Sequence, residues 1–241
     1  KECLYHKTNI LLAPGVNIKD YVLCGRNFEY FSEDPYLGGI LAASYINGLE
    51  DSNVGTCVKH YACNSQEFAR TINSSELSLR ALNEIYLGIF KYIFKYSNPS
   101  SVMTSYNKIN GEYVNESKYL IQDKLRKEYN YQGLIISDWC AVSNKWKGIE
   151  VGLDIEMPLT RMSNEYIDRG YNVYFTDEDL IKRDNEIYNS LKKFKNTKEK
   201  YFRCCKQISV SYSDRCVPPN KNREQKIFFR SRFILFIRHP E

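Results

Sequence analysis

Side chains that could do chemistry follow four successive apolar segments of the sequence. They are Asn17, Lys59-His60, Ser105-Tyr106-Asn107 and Asp138-Trp139. The group contains a carboxylate, an amine and an imidazole, which proteins use for nucleophilic attack, Schiff-base formation and proton transfer. Taken singly, each could be an ordinary loop residue, and Asp138 could cap a helix that follows it. Their function therefore depends on whether the fold brings them together.

The segments before these residues read as strands that alternate with helices. Strands are predicted over residues 8–13, 55–60, 101–104, 134–137 and 153–155, and helices over 36–49, 75–96, 117–129 and 141–150. Buried strands that alternate with helices are typical of a parallel sheet built from βα units. The pattern indicates an α/β protein, either a barrel or an open sheet. In a (β/α) barrel the carboxyl ends of the strands share one mouth, so the polar residues would converge there.

The regular alternation ends near residue 158. We predict a domain over residues 1–158, a helical extension over 159–200 and a basic, cysteine-containing tail over 201–241. Cys204, Cys205, Cys216 and His239 could together hold a metal, but their spacing fits no zinc pattern. We therefore predict no metal and no cofactor.

Composition limits the classes of partner. The 34 basic and 29 acidic residues give a net charge of +5 and are scattered through most of the chain, so we expect no nucleic-acid partner. No apolar run reaches the ~20 residues that span a bilayer, so we expect no membrane partner. The sequence begins at Lys1 rather than Met, shows no signal-peptide pattern, and has no CxxC pair among its first five cysteines. These features favour a reduced, cytoplasmic protein.

Four segments together resemble a known family. They are LAPGVNI at 12–18, CGRNFEYFSEDP at 24–35, VKHYACNSQEF at 58–68, and SDW at 137–139 followed by GLDIEMP at 152–158. In this order and spacing they are similar to the first domain of glycoside hydrolase family 3, which includes many β-glucosidases and β-xylosidases. The resemblance implies a partial TIM-type (β/α) barrel and an O-glycosyl hydrolase that releases terminal β-linked glucosyl or xylosyl residues from a β-glucoside or oligosaccharide.

The resemblance also implies roles for individual residues. Asp138, in the SDW segment, corresponds to the nucleophile that forms a covalent glycosyl intermediate. The substrate-binding residues would be Arg26, Lys59, His60, Arg70, Tyr106 and Trp139. Because an attacking carboxylate must be ionised, we expect cationic neighbours to hold the pKa of Asp138 low. Asp154 and Glu156 also follow a strand and are rival carboxylates, which only the segment around Asp138 argues against.

The match implies an incomplete enzyme. In the family the barrel begins before the LAPGVNI strand, and the general acid/base usually comes from a second α/β domain. We therefore expect a chain truncated at both ends, with a partner or missing domain supplying the general acid/base. One alternative is a catalytically silent sugar-binding or interaction protein derived from the same fold. Another is an α/β enzyme of unrelated chemistry that uses Lys59 as a Schiff-base amine.

Overall fold

The computed structural model describes residues 1–157, apart from the side chains of residues 145 and 146. The predicted extension at 159–200 and tail at 201–241 lie outside this part of the chain. Eight strands are present in it: β1 (Ile10–Leu11), β2 (Gly55–Tyr61), β3 (Ser74–Ser75), β4 (Ser101–Thr104), β5 (Lys108–Ile109), β6 (Glu112–Tyr113), β7 (Leu134–Trp139) and β8 (Ile155–Met157).

Five of these strands form one parallel sheet in the order β1-β2-β4-β7-β8. Neighbouring strands are joined by crossovers through helices, so their carboxyl ends lie at the same edge of the sheet. This arrangement confirms the predicted α/β class and the partial (β/α) barrel. A second, three-stranded sheet in the order β3-β5-β6 is built from segments that follow the carboxyl ends of β2 and β4.

The helices alternate with these strands along the chain. They are α1 (Glu2–Tyr5), α2 (Pro35–Glu50), α3 (Leu79–Ala81), a π-helical turn (Leu82–Tyr86), α4 (Gly88–Tyr96), a 3-10 turn (Val114–Glu116), a π-type helix (Tyr119–Glu128) and α5 (Lys145–Val151). Helix α2 matches the predicted helix over 36–49 to within one residue at each end. It begins here because Asp34 accepts hydrogen bonds from the backbone N–H of Tyr36 and Leu37, and Pro35 occupies the first turn.

The predicted helix over 75–96 begins later than expected, and Ser75, which could cap a helix at that start, does not do so. Ser75 lies in β3, which pairs with β5, and its carbonyl accepts the N–H of Asn110 at 3.1 Å. The cap is Ser78, whose hydroxyl accepts the N–H of Ala81 at 3.1 Å. Both serines have the chemistry of a cap, and the pairing of the small sheet decides between them.

The last two elements are also displaced from their predicted positions. Helix α5 begins after Asn144, whose side chain caps it. It ends at Gly152, which has a φ of 95° that favours glycine. Because the N–H of Leu153 still bonds the carbonyl of Gly148, β8 starts only at Ile155.

The core lies between the parallel sheet and its helices. Val58, Val102 and Ile135 from the central strands are fully buried, as are Phe90 and Ile93 of α4. The apolar faces of both layers thus meet in one cluster, which excludes water and holds the strand ends in register.

Candidate active site

Asp138 lies near the carboxyl end of β7 and is almost buried. Its Oδ1 accepts the backbone N–H of Trp139 at 2.6 Å, and its Oδ2 lies 3.4 Å from His60 Nε2. His60 belongs to β2, which is separated from β7 by β4. A contact across an intervening strand brings the ends of β2 and β7 together around one polar cluster.

Both strands are irregular where they enter this cluster. The pairing of β2 with β4 shifts register between Lys59 and Tyr61, and that of β7 with β8 shifts between Ile136 and Trp139. Such bulges re-aim side chains at the ends of strands. The predicted convergence of the Lys59-His60 and Asp138-Trp139 pairs therefore occurs at two local departures from regular β-structure.

The side chain of Asn17 contacts both the backbone and the ring of His60. The Asn17 amide donates to the carbonyl of His60 at 2.8 Å, and its Oδ1 accepts the His60 backbone N–H at 2.9 Å. The ring Nδ1 lies 3.2 Å from Asn17 Oδ1 and 3.3 Å from the hydroxyl of Tyr30. Burial lowers the pKa of His60 well below its usual value, and the charges of Arg26, Lys59 and Arg70 lower it further. His60 is therefore a neutral imidazole at physiological pH.

The three predicted cations are each paired with a carboxylate. Glu29 bonds Arg26 Nε through one oxygen, and its other oxygen lies 3.3 Å from Lys59 Nζ. Arg70 Nη1 bonds Glu67 at 2.5 Å. Each pair is more than two-thirds buried, so the charges are less screened than surface ion pairs.

The pKa of Asp138 is raised above its ordinary value, so the expectation of a lowered pKa is wrong. Burial is the largest cause, because it penalises the ionised form. The N–H of Trp139, the charge of Arg26, a hydrogen bond from Tyr106 and the charge of Arg70 lower the pKa, in that order, and together do not outweigh burial. The Lys59 ammonium group forms an ion pair with Glu29 at 3.3 Å.

Tyr106 connects two parts of the cluster. The guanidinium of Arg70 lies 4.2 Å from the centre of the Tyr106 ring, a cation–π distance. Burial raises the pKa of the Tyr106 hydroxyl, and the charge of Asp138 raises it further, so this group remains a hydrogen-bond donor. Its neighbours have structural partners: Ser105 and Asn107 both donate to the carbonyl of Ala62, at 2.8 and 3.3 Å.

The rival carboxylates have different surroundings. Asp154 forms a 2.7 Å ion pair with Arg126 and accepts the backbone N–H of Ile135, the second residue of β7, at 2.8 Å. These contacts tie it to the beginning of that strand, away from the end that carries Asp138. Burial raises the pKa of Glu156 to about 7. Glu156 is next to Met157, whose backbone pairs with that of Trp139.

Asn17 is in the predicted cluster but has no role predicted from the sequence, and neither Glu29 nor Glu67 is predicted to belong to the site. Glu29 stands three residues after Arg26, and Glu67 three residues before Arg70. That carboxylate–guanidinium spacing is a signal that could have found both pairs. The two hydrogen bonds between the Asn17 side chain and the His60 backbone have no such local signature, because the two residues are 43 positions apart.

Other features of residues 1–157 bear on the wider predictions. Within these residues, no group of three or more His, Cys, Asp or Glu side chains is arranged to hold a metal ion. Cys3, Cys24, Cys57, Cys63 and Cys140 are free thiols. In the described part of the chain, no helix has the length and apolar character needed to cross a bilayer.

Comparison with known proteins identifies relatives of this chain. Thermostable beta-glucosidase B of Acetivibrio thermocellus is 48% identical over 158 residues, which are 66% of this chain and 21% of that protein. An exo-alpha-(1->6)-L-arabinopyranosidase of Bifidobacterium breve is 43% identical over a segment of the same length, with the same coverage. The chain spans about a fifth of the length of these curated relatives.

Solved structures agree with the sequence relatives. Beta-glucosidase 3B from Thermotoga neapolitana, in complex with glycerol, superposes with a TM-score of 0.76 at 38% identity, covering 88% of this chain and 28% of that one. Its complex with alpha-D-glucose gives a TM-score of 0.75. A family model described as the glycosyl hydrolase family 3 N terminal domain matches residues 1–200. The chain therefore belongs to glycoside hydrolase family 3, as the segments around Asp138 predicted.

Proposed function

We propose that this chain contributes the nucleophile-bearing, sugar-binding part of a retaining β-glycosidase, with Asp138 as the attacking carboxylate. The observation that carries the proposal is the contact between Asp138 and His60, which places a nearly buried carboxylate among groups that can donate hydrogen bonds to sugar hydroxyls. Membership of a family with several β-glucosidase relatives supports the same reaction class.

In the proposed first step, the ionised Asp138 carboxylate attacks the anomeric carbon of the terminal sugar. The bond from that carbon to the leaving oxygen breaks, and the oxygen takes a proton from a general acid. In the second step, water attacks the glycosyl ester and gives its proton to the conjugate base of that acid. Asp138 is released, and the sugar leaves with its original anomeric configuration.

The cations and Tyr106 would hold the sugar during both steps. Lys59, Arg26 and Arg70 carry N–H donors beside the cluster, and such charged donors bind hydroxyl oxygens strongly. Trp139, next to the nucleophile, offers an apolar ring of the kind that packs on a sugar face. The neutral imidazole of His60 would orient Asp138 without cancelling the charge needed for attack.

We infer that the general acid/base is supplied from outside residues 1–157, by another part of the protein or by a partner. Within this part of the chain, Glu29, Glu67 and Asp154 are each ion-paired with a basic side chain. Glu156, whose pKa burial raises to about 7, is the competing candidate among these residues. The chain's relatives are about five times longer than the matched segment, which leaves room for the acid elsewhere in proteins of this kind. The substrate would be a terminal β-linked glucosyl or related residue.

The Schiff-base alternative is less well supported. A Schiff base forms from a free amine, whereas Lys59 Nζ is engaged in an ion pair with the Glu29 carboxylate at 3.3 Å. The silent sugar-binding alternative uses the same contacts as the proposed enzyme. It differs only in whether the bond to the leaving group breaks.

A substrate with a good leaving group separates these functions. The 2,4-dinitrophenolate of an aryl β-glucoside departs without protonation, so the first step does not require the general acid. We expect wild-type chain to release a stoichiometric burst of dinitrophenolate and then turn over slowly, with azide speeding the slow phase. Asp138→Ala should show no burst. Binding of glucose without any burst would instead indicate a silent sugar-binding protein, and labelling of Lys59 by borohydride with a carbonyl substrate would indicate the Schiff-base enzyme.

A further inference from the structure

The Glu29 carboxylate forms ion pairs with two of the cations. One carboxylate oxygen accepts a hydrogen bond from Arg26 Nε, and the other lies 3.3 Å from Lys59 Nζ. The side chains of Arg26, Glu29 and Lys59 are 19%, 20% and 16% exposed. Arg26 and Glu29 belong to the loop after β1, whereas Lys59 lies in β2. The carboxylate therefore joins two chain segments, the loop after β1 and strand β2.

Gly15 makes room for this carboxylate. A Cβ atom at position 15 would lie 3.1 Å from Glu29 Cγ, 3.1 Å from Glu29 Oε2 and 3.1 Å from the Tyr30 ring. These distances are shorter than ordinary van der Waals contact, so any side chain there would displace the carboxylate by a few tenths of an ångström. Gly15 also forms a parallel bridge with Lys59, which fixes the backbone on both sides of the contact.

We propose that Glu29 is a positioning residue of the sugar site: its carboxylate bridges Arg26 and Lys59 and fixes both cations in the places from which they bind sugar hydroxyls. This inference rests on the proposed glycosidase function. Two partly buried cations of the same sign would otherwise repel one another and lose their fixed orientations beside the cluster. The shared carboxylate offsets that repulsion and leaves the remaining N–H donors of each cation free to meet a ligand.

The bridge has a second consequence, for the charge felt at Asp138. Arg26 acts on Asp138 by its positive charge and favours the ionised carboxylate. Glu29 partly cancels that charge. Removing the negative charge at position 29 should therefore strengthen the positive field at Asp138 and lower its pKa. The other groups that act on the Asp138 carboxylate or contact it are His60, Arg70, Tyr106 and the Trp139 N–H.

The test compares wild type with Glu29→Gln, which keeps the size and removes the charge, and Glu29→Asp, which keeps the charge on a shorter stem. Gly15→Ala displaces the carboxylate without altering any charge. Glu84→Gln is the matched control, because Glu84 forms an exposed ion pair with Arg80. Glucose affinity is measured by calorimetry, and the pKa of Asp138 by a carbon-13 NMR titration of its carboxyl carbon.

The proposal predicts that Glu29→Gln weakens glucose binding by about 100-fold, as misplaced groups do, and lowers the pKa of Asp138. Glu29→Asp should recover part of the affinity, and Gly15→Ala should weaken binding with little change in that pKa. An unchanged affinity and pKa in a folded Glu29→Gln would overturn the proposal, as would a loss of stability with the Asp138 pKa unmoved. If wild type binds no glucose, the proposed function fails, while the NMR titration still decides whether Glu29 tunes Asp138.

Discussion

The His60 ring meets the Asp138 carboxylate across β4, with Nε2 3.4 Å from Oδ2. The two residues are 78 positions apart in sequence and come from strands that are not neighbours. The contact requires a sheet that curves toward its own interior, as the wall of a barrel does. Both groups are removed from water, which lowers the pKa of His60 and raises the pKa of Asp138. Each shift favours the neutral form of its group.

Buried His60 should make stability depend on pH. Its folded pKa is lower than the ~6.5 of an unfolded histidine, so the unfolded chain binds more protons below that pH. The contribution to stability is complete above pH ~6.5 and is lost as pH falls toward the lowered folded pKa. Urea unfolding of His60→Gln should show a weaker decline of the free energy of unfolding below pH ~6.5 than wild type. His6→Gln, at an exposed position, is the control and should follow wild type.

Asp138→Asn should stabilise the protein at neutral pH while abolishing catalysis. The folded pKa of Asp138 is raised, so the ionised carboxylate opposes folding above that pKa and has no effect below the unfolded pKa of ~3.9. We expect a gain of about 1 kcal/mol in the free energy of unfolding at pH 7. The gain should shrink as pH falls toward 3.9 and vanish below it. A variant less stable than wild type at pH 7 would show that the ionised Asp138 carboxylate supports the fold.

Asp154→Ala should test whether this carboxylate is structural. Its partner Arg126 is 9% exposed and also donates to the carbonyls of Tyr131 and Gly133. Breaking a buried pair leaves an uncompensated charge and costs about 3 kcal/mol. Chemical denaturation measures this loss, and Glu84→Ala, at an exposed pair, should change stability by less than about 1 kcal/mol. A folded Asp154→Ala that had lost the dinitrophenolate burst would contradict a purely structural role.

Two glycine-to-alanine substitutions should change the stability of the protein in opposite directions. A Cβ at Gly133 would lie 2.2 Å from the Tyr131 hydroxyl and 2.8 Å from the Ser100 carbonyl oxygen, so Gly133→Ala should cost about 2 kcal/mol. A Cβ at Gly48 in α2 would meet nothing within 4 Å, so Gly48→Ala should stabilise by about 0.5–1 kcal/mol. Thermal unfolding of both variants measures the difference. Equal effects at the two positions would contradict the packing before β7.

The sequence supports the fold and the location of the site because both follow from local patterns. Apolar strands alternating with helices predict the parallel sheet, and the carboxyl ends of parallel strands meet at one edge, which places His60 near Asp138. Ser75 and Ser78 show where local patterns fail, since both can cap a helix and only the pairing of β3 with β5 decides between them.

The charge state of the site could not be predicted from sequence for a different reason. The pKa of Asp138 depends on a balance between desolvation and nearby charges, and that balance changes with distances of a few ångströms. The pairing of Lys59 with Glu29 is likewise set by the fold, since the two residues are 30 positions apart in sequence. Residue types alone therefore predicted the wrong direction for the pKa of Asp138.

The proposed function requires that Asp138 attacks the anomeric carbon. Incubation with 2,4-dinitrophenyl 2-deoxy-2-fluoro-β-glucoside, followed by proteolysis and mass spectrometry, tests it directly, because the fluorine slows breakdown of the glycosyl ester and the leaving group departs without an acid. We predict one added 2-deoxy-2-fluoroglucosyl group on the peptide that contains Asp138, and none in Asp138→Ala. A label on Glu156 or Asp154 in place of Asp138, or equal labelling of the variant, would contradict the assignment.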